Sequence, residues 1–362
     1  MEIGIVGLAN TGKSTLFNAL TKAGAASSNF PFSTKDANVG TVQIPDRRLD
    51  ALFDLFKPPK KVPAYIKFVD AAGLVQGASR GEGLGNKFLA TIREMDVIAH
   101  VVRCFKDPDV MHVLNSVDPL RDIEIVETEL MLADLESVEK MYDKNSGEVR
   151  AGKKEAKDKQ ERLTKIRDLL REGKPASEAG YSEAETHDFN LITTKPFFYA
   201  ANTDEKPDPE MMQKVRDYAK SRNKMLVEIS AKVEAEMTEL PEEEQRAFMK
   251  DMGQDYLGLE KMILAGKELL NLINFFTAGS DDEVRAWTCT KNSKAPQAAG
   301  KIHTTIEKGF IRAEIYSFDD IMLHKEEKIL KEKGLIRSEG REYVMQDGDI
   351  VFFKFSPQAG KK

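Results

Sequence analysis

The sequence has few cysteines, no long apolar run and no large excess of one charge. Its two cysteines, Cys104 and Cys289, lie far apart, so we expect reduced thiols in a cytoplasmic protein rather than disulfide-linked secreted modules. No apolar run approaches the roughly 20 residues of a membrane-spanning helix, and no signal-peptide pattern precedes the first apolar segment. A net charge of −6, from 54 basic and 60 acidic residues, argues against a chain that wraps nucleic acid through its overall charge.

The length, composition and apolar pattern of the sequence predict an α/β protein of two or three domains. The chain has 362 residues, of which 41% are hydrophobic, enough for ordinary cores. Apolar segments predict strands over 3–6, 39–44, 64–69, 98–105, 196–201 and 225–229. Helical segments separate most of these strands, which is typical of a mainly parallel, doubly wound sheet with ligands at the carboxyl ends of its strands.

Two regions interrupt or follow this pattern. Residues 127–191 carry two apolar stripes at helical spacing and a charged run, which predict an antiparallel pair of amphipathic helices. Residues 241–272 predict further helix. From about residue 276, short β-type segments over 310–315 and 350–355 surround a predicted helix over 318–333. We therefore divide the chain into an α/β domain (1–126 and 192–276), a helical insertion (127–191) and a small α+β domain (277–362).

The strongest motif is a phosphate-binding loop. Residues 7–15 read GLANTGKST and lie between a predicted strand and a predicted helix. Glycines let successive N–H groups face phosphate oxygens, and the helix N-terminus favours an anion. Lys13 would reach the outer phosphates, and the Ser14 hydroxyl would ligate Mg²⁺. The candidate nucleotide contacts in the loop are Asn10, Thr11, Gly12, Lys13, Ser14 and Thr15.

Other residues supply the remaining requirements of phosphoryl transfer. Asp70 ends a predicted strand and could hold a Mg²⁺-bound water, while the Gly73 N–H could face the γ-phosphate. Thr34 either completes the metal sphere or is an ordinary turn residue. Leu74 stands where Ras-like proteins place the glutamine that orients water. Hydrolysis therefore needs another group, or it is slow.

The base-recognition segment departs from that of common GTPases, which carry Asn-Lys-x-Asp. Here Asn202 is followed by Thr203, and Glu205 replaces the aspartate. A carboxylate one methylene further out cannot occupy the same place, so we expect guanine specificity to be lost. The adenine amine could be met by the Asn202 side chain or by a nearby backbone carbonyl. Ser230 and Ala231 follow the next strand and would form the loop beneath the base.

Taken together, these residues resemble the YchF family, the ATP-preferring branch of the Obg-related P-loop GTPases. The matching segments cover nearly the whole chain: 7–19, 29–32, 70 with 72–75, 77–88, 100–105, 202–205, 284–288 and 295–303. The resemblance implies a Ras-like doubly wound P-loop domain, a helical coiled-coil insertion and a C-terminal TGS domain of β-grasp fold. It also implies slow ATP hydrolysis, with His112 positioning the water and Asn10 ligating K⁺ as a further cofactor.

Some positions depart from the family's usual pattern. Ala9 and Thr11 replace proline and valine in the loop, and Ala71 replaces isoleucine after the strand. Neither of the two loop side chains is essential to a backbone cradle, and the replacement at Ala71 is a packing change. The segment over 32–38 is more polar than usual, which leaves the role of Thr34 open.

We expect a slow, Mg²⁺-dependent ATPase switch that acts on the ribosome or ribosomal RNA as a cytoplasmic monomer or weak oligomer. The basic residues that could contact ribosomal phosphates are Lys153, Lys154, Lys157, Lys301, Lys308 and Arg312. Two alternatives stay open. One is a nucleotide-gated binding module with incidental hydrolysis, and the other is a conventional GTPase.

Overall fold

The computed structural model describes residues 1–26, 38–71, 84–251, 256–279 and 282–356. The strands in this part of the chain are β1 (Glu2–Val6), β2 (Val39–Gln43), β3 (Lys60–Val62), β4 (Tyr65–Asp70), β5 (Val97–Cys104), β6 (Phe197–Thr203), β7 (Leu226–Ile229), β8 (Leu272–Thr277), β9 (Glu283–Thr290), β10 (Phe310–Ser317), β11 (Arg337–Glu339) and β12 (Asp349–Phe355).

The helices of the described residues are α1 (Lys13–Ala26), α2 (Arg47–Phe56), α3 (Leu84–Glu94), α4 (Pro119–Arg150), α5 (Lys154–Arg171), α6 (Glu183–Thr186), α7 (Pro209–Ser221), α8 (Ala231–Met237), α9 (Glu242–Asp251), α10 (Gly258–Leu269), α11 (Ala295–Ile302), α12 (Thr304–Lys308), α13 (Phe318–His324) and α14 (Glu327–Glu332). None of them is long and apolar enough to cross a membrane.

The first sheet has the strand order β2-β4-β1-β5-β6-β7, which confirms the predicted doubly wound α/β fold. The β4–β1, β1–β5, β5–β6 and β6–β7 pairs are parallel. All eight residues of β5 are buried, as expected for a strand covered on both faces. Because the strands run in the same direction, the carboxyl ends of β1, β4, β5, β6 and β7 meet at one edge of the sheet.

The region predicted as a helical insertion (127–191) includes α5 and most of α4, which begins before the predicted boundary, and a short turn joins the two helices. Helix α4 begins at Pro119 behind Asp118, whose side chain accepts a hydrogen bond from the Arg121 N–H. This is a helix start that proline favours. Apolar residues of the two helices share a buried cluster that includes Val138, Leu163, Ile166 and Leu170. The amphipathic pattern of the sequence therefore reflects packing between the two helices.

The second sheet has the order β11-β10-β12-β8-β9-β3. Residues 43–66 and 267–362 form one compact unit around it, while residues 1–42 and 67–266 form the other. The sequence places residues 43–66 in the α/β domain, but β3 pairs with β9 and α2 packs within this second unit. Pairing between segments so distant in sequence has no local signal. The functional division into three domains stays a prediction.

Two predicted helices differ from the structure. The segment over 241–272 forms α9 and α10, and residue 272 already begins β8 after Asn271, which has a φ of 49°. The predicted helix over 318–333 is divided into α13 and α14 at Lys325, which has a φ of 67°. Left-handed backbone ends a helix, and in neither place did the sequence carry a glycine to signal it.

Candidate functional site

The loop between β1 and α1 lies close against the sheet, and two glycines permit this approach. A Cβ atom at Gly7 would stand 2.4 Å from the carbonyl oxygen of Val101. At Gly12, φ is +89° and a Cβ atom would stand 2.2 Å from the Asn202 amide nitrogen. Any side chain at either position would displace the loop from β5 or β6. The glycines therefore fix where the N–H groups of the loop lie.

Lys13 begins α1, and its ammonium group folds back over the loop. The residue is 6% exposed, and Nζ donates a hydrogen bond to the Leu8 carbonyl oxygen. Burial lowers the pKa of Lys13 to about 8, although the nearby Asp70 carboxylate favours the charged form. A desolvated cation is stabilised by any further anion that reaches it. Lys13 is therefore placed to gain from a phosphate.

Ser14 and Asp70 bring a hydroxyl and a carboxylate together at the edge of the sheet. The Ser14 Oγ donates a hydrogen bond to Asp70 Oδ2 over 3.3 Å. Burial raises the pKa of Asp70, against the opposing effects of the Lys13 charge and the Ser14 hydrogen bond. The second carboxylate oxygen, Oδ1, is buried with no hydrogen-bond partner among the described residues.

These oxygen donors fit Mg²⁺. That ion is usually held by one or two protein oxygens together with substrate phosphates and water, and a buried unpaired carboxylate oxygen is otherwise unfavourable. No group of three or more His, Cys, Asp or Glu in the described ranges could hold a metal by itself. The pair of Ser14 and Asp70 therefore suits a metal that arrives with phosphates.

Asn202 lies near the end of β6 and joins the loop to the start of α8. Its Nδ2 donates to the Thr11 carbonyl oxygen and its Oδ1 accepts from the Ala231 N–H, both over 2.9 Å. The residue is 4% exposed. The amide thus fastens two loops together, so the expectation that its side chain meets adenine does not fit this geometry. Ser230 caps α8 by accepting a hydrogen bond from the Val233 N–H.

The residues that follow Asn202 differ sharply in exposure. Thr203 is buried, and its Oγ1 donates to the Ile229 carbonyl oxygen over 3.4 Å. The Asp204 carboxylate accepts from the Lys106 N–H over 3.1 Å. Glu205 is exposed, and its carboxylate has no hydrogen-bond or ion-pair partner in the part of the chain that the structure describes. Thr203 therefore contributes to the fold, while Glu205 is free to contact a ligand.

His112 lies in the segment between β5 and α4, and both of its ring nitrogens are engaged. Nε2 lies 2.7 Å from Asp122 Oδ2, and Nδ1 accepts from the Leu114 N–H over 3.0 Å. The ring is buried. Because Nδ1 is an acceptor, Nε2 carries the proton that it shares with Asp122. Neither nitrogen is left over to orient a water molecule in this arrangement.

Arg103 was missed as a site residue by the sequence reasoning. Its side chain is 1% exposed and donates to the carbonyl oxygens of Val110 (2.8 Å) and Asn10 (3.4 Å). Burial lowers the pKa of Arg103. The Asn10 side chain in turn donates to the Met111 carbonyl oxygen over 3.0 Å. The loop and the His112 segment are therefore tied together. The sequence signal that could have identified Arg103 is its position as a charged residue inside the apolar run over 98–105.

The structure brings most of the predicted site residues to one edge of the first sheet. Thr34 and Gly73 lie outside the described residues. Thr15 lies in the first turn of α1, directly after Ser14.

Comparisons with known proteins agree with this fold and loop. Residues 2–146 match the sequence profile of a family described as 50S ribosome-binding GTPase. Residues 272–356 match a profile named YchF-GTPase_C and described as a protein of unknown function.

Full-length relatives are similar throughout. The chain is 46% identical to the ribosome-binding ATPase YchF of Bacillus subtilis (strain 168), covering 98% of this chain and 99% of that protein. It is 45% identical to the ribosome-binding ATPase YchF of Escherichia coli O157:H7, with the same coverage of 98% and 99%. The solved structure of the Schizosaccharomyces pombe YchF GTPase is 37% identical, with a TM-score of 0.86 over 98% of this chain and 97% of that one. The chain therefore belongs to the YchF family.

Proposed function

We propose that the protein is a P-loop ATPase that hydrolyses ATP slowly and acts on the ribosome. The observation that carries the catalytic part is the glycine-bounded loop with buried Lys13 beside the Ser14–Asp70 pair. The Bacillus and Escherichia relatives are named ribosome-binding ATPases, which supports ATP as the substrate and the ribosome as the partner.

The residues of the loop divide the work of holding the triphosphate. Backbone N–H groups over 10–15 face the phosphate oxygens, and the Lys13 ammonium exchanges the Leu8 carbonyl oxygen for a phosphate oxygen. Ser14 and Asp70 would hold Mg²⁺, which supplies charge stabilisation on the phosphates. Thr34 and the Gly73 N–H complete this set in the proposal.

ATP is preferred over GTP because the base segment lacks the usual guanine contacts. A buried threonine replaces the lysine that packs over the base, and the carboxylate at Glu205 stands one methylene further out. The Asn202 amide is occupied by its two backbone partners. A backbone carbonyl near the pocket is therefore left to accept from the adenine amine.

Slow turnover follows from the types of residue at the positions assigned to orienting the attacking water. Leu74 cannot orient water by hydrogen bonding, and His112 must give up either Asp122 or the Leu114 N–H to do so. Asn10 directs its Nδ2 at the Met111 carbonyl oxygen, which leaves its amide oxygen for K⁺. Oxygen donors are what such a cation needs.

Measured affinities for ATP and GTP test whether ATP is the preferred substrate. Titrating fluorescent ATP and GTP analogues in K⁺ and Na⁺ buffers should show tighter ATP binding, and faster turnover in K⁺. A clear preference for GTP would reject the adenine assignment. It would favour the second candidate, a conventional GTPase, which the description of the Schizosaccharomyces structure supports.

A His112→Ala variant separates the ATPase from a nucleotide-gated binding module with incidental hydrolysis. We expect turnover to fall while ATP affinity stays. The exposed His187 provides the matched control as His187→Ala. Unchanged turnover in His112→Ala would remove His112 from the mechanism.

Ribosome docking is assigned to the appended regions, with a cytoplasmic monomer or weak oligomer as the acting form. Some of the basic candidates have acidic neighbours: Lys153 lies 3.8 Å from Glu148, and Arg312 lies 3.2 Å from Glu314. We therefore expect a modest salt dependence. Sedimentation with ribosomes at physiological salt tests this part, and a failure to co-sediment with or without ATP would contradict it.

A further inference from the structure

A cavity of about 190 Å³ lies on the α4 face of the first sheet. Strands β1, β5 and β6 form its floor, and α4, the turns near residues 175 and 192 and the segment after α7 form the rest. None of the described residues that we assign to the nucleotide lines this cavity. It is therefore separate from the phosphate loop, although Val6 in its floor immediately precedes Gly7.

The floor of the cavity carries a buried histidine whose ring makes no hydrogen bond to a described residue. His100 is 4% exposed, and neither ring nitrogen has a hydrogen-bond partner among the described residues. Its ring packs at 5.7 Å, centroid to centroid, from that of Tyr199. Burial and the Lys13 charge lower the pKa of His100 to about 3, so the imidazole is neutral and offers one donor and one acceptor. Such a group is normally satisfied by protein, water or a ligand.

The charged residues that line the cavity are unevenly compensated. The Glu127 carboxylate accepts a hydrogen bond from the Tyr199 hydroxyl and lies 3.7 Å from Arg222. Lys224 is half-buried, and its Nζ lies 4.2 Å from the centroid of the Phe197 ring. Burial lowers the pKa of Lys224 against the opposing charges of Glu127 and Glu178, which also line the cavity, and no carboxylate of the described chain lies within ion-pair distance of Lys224. An added anion would therefore favour Lys224.

The apolar part of the lining includes Val6, Ile98, Leu130 and Ile192, while Ser177, Glu178 and Thr193 add polar groups on the side of the turns. A dry cavity of about 150 Å³ accommodates a benzene molecule, so about 190 Å³ accommodates a ring with short polar arms. We propose that this cavity binds a small hydroxyaryl carboxylate. The ring lies among the apolar residues, the hydroxyl hydrogen-bonds to His100, and the carboxylate pairs with Lys224.

The test uses the full chain and 4-hydroxyphenylacetate as the probe. Met131 also lines the cavity, so its ¹³C-labelled methyl resonance reports occupancy. We expect a saturable shift with a Kd of about 1 mM or lower, as fits a ligand of this size. Lys224→Met should weaken binding about tenfold or more, since it removes the charge and keeps the length.

Two further variants and a second probe separate the parts of the proposal. His100→Phe should weaken 4-hydroxyphenylacetate but leave phenylacetate unchanged, because only the first probe carries the hydroxyl. Leu130→Trp should abolish binding of both by filling the cavity. Lys220→Met, at an exposed neighbouring lysine, is the control and should change nothing.

The proposal is overturned if no saturable shift occurs up to about 10 mM probe. It is also overturned if Lys224→Met binds like the original chain. Circular dichroism establishes that each variant is folded. Lys224 is only half-buried, so its variant carries the test if Leu130→Trp does not fold.

Discussion

The double link made by Asn202 gives a sharp test of how the phosphate loop is held. In Asn202→Ala the Thr11 carbonyl oxygen and the Ala231 N–H lose their partners. Both residues are almost completely buried, at 1% and 2% exposure. A buried polar group without a partner costs about 1–3 kcal/mol.

If ATP binds only to the ordered loop, the free energy lost with the two hydrogen bonds lowers the affinity for ATP. We expect a loss of about 2–3 kcal/mol, which corresponds to roughly 30- to 150-fold in Kd. Isothermal titration calorimetry with ATP measures this directly. Asn202→Asp keeps the acceptor for Ala231 but sets a carboxylate oxygen against the Thr11 carbonyl oxygen, so it should lose at least as much.

Gln213→Ala is the matched control, because it removes an exposed amide that donates only to Asp217 over 3.0 Å. We expect its ATP affinity to stay within about twofold, as for most surface substitutions. The reasoning is refuted if folded Asn202→Ala binds ATP as tightly as Gln213→Ala.

Three further predictions concern the same edge of the sheet. Burial lowers the pKa of Lys13 to about 8 and a triphosphate raises it, so ATP binding takes up a proton and affinity should fall about tenfold from pH 7 to pH 9. Calorimetry should show this loss but not for Lys13→Arg, which stays charged; a flat profile in the original chain would contradict it. Arg103→Lys should lower the melting temperature more than Arg103→Met, because the lysine keeps a buried charge with fewer hydrogen-bond donors. The reverse order would show that the unpaired buried charge does not determine the loss of stability. Gly7→Ala should lower the free energy of unfolding by about 1–3 kcal/mol or prevent folding, because the new Cβ atom meets backbone atoms. Gly147→Ala on α4 is the control, because its Cβ atom meets nothing within 4 Å. Equal melting temperatures of the two variants would refute the close approach of the loop to the sheet.

Local pattern was sufficient for the first sheet and the phosphate loop. Apolar runs predicted its six strands, and the glycine spacing predicted the turn before α1, because both depend on residues close together in sequence. The same reasoning failed at Asn271 and Lys325, where non-glycine residues with positive φ end helices. Residues 43–66, which the sequence assigned to the α/β domain, pack in the second compact unit.

The sequence by itself determined the fold class, the phosphate loop and the family, since these rest on the chemistry and spacing of neighbouring residues. The tertiary structure decided which hydrogen-bond partners and which degree of burial each polar side chain has. It gave the Asn202 amide to two backbone groups and both His112 nitrogens to neighbouring partners, and it buried Arg103 behind the loop. A polar side chain takes the partners that the fold brings within hydrogen-bond distance, and for Asn202 one such partner, Thr11, lies 191 positions away along the chain.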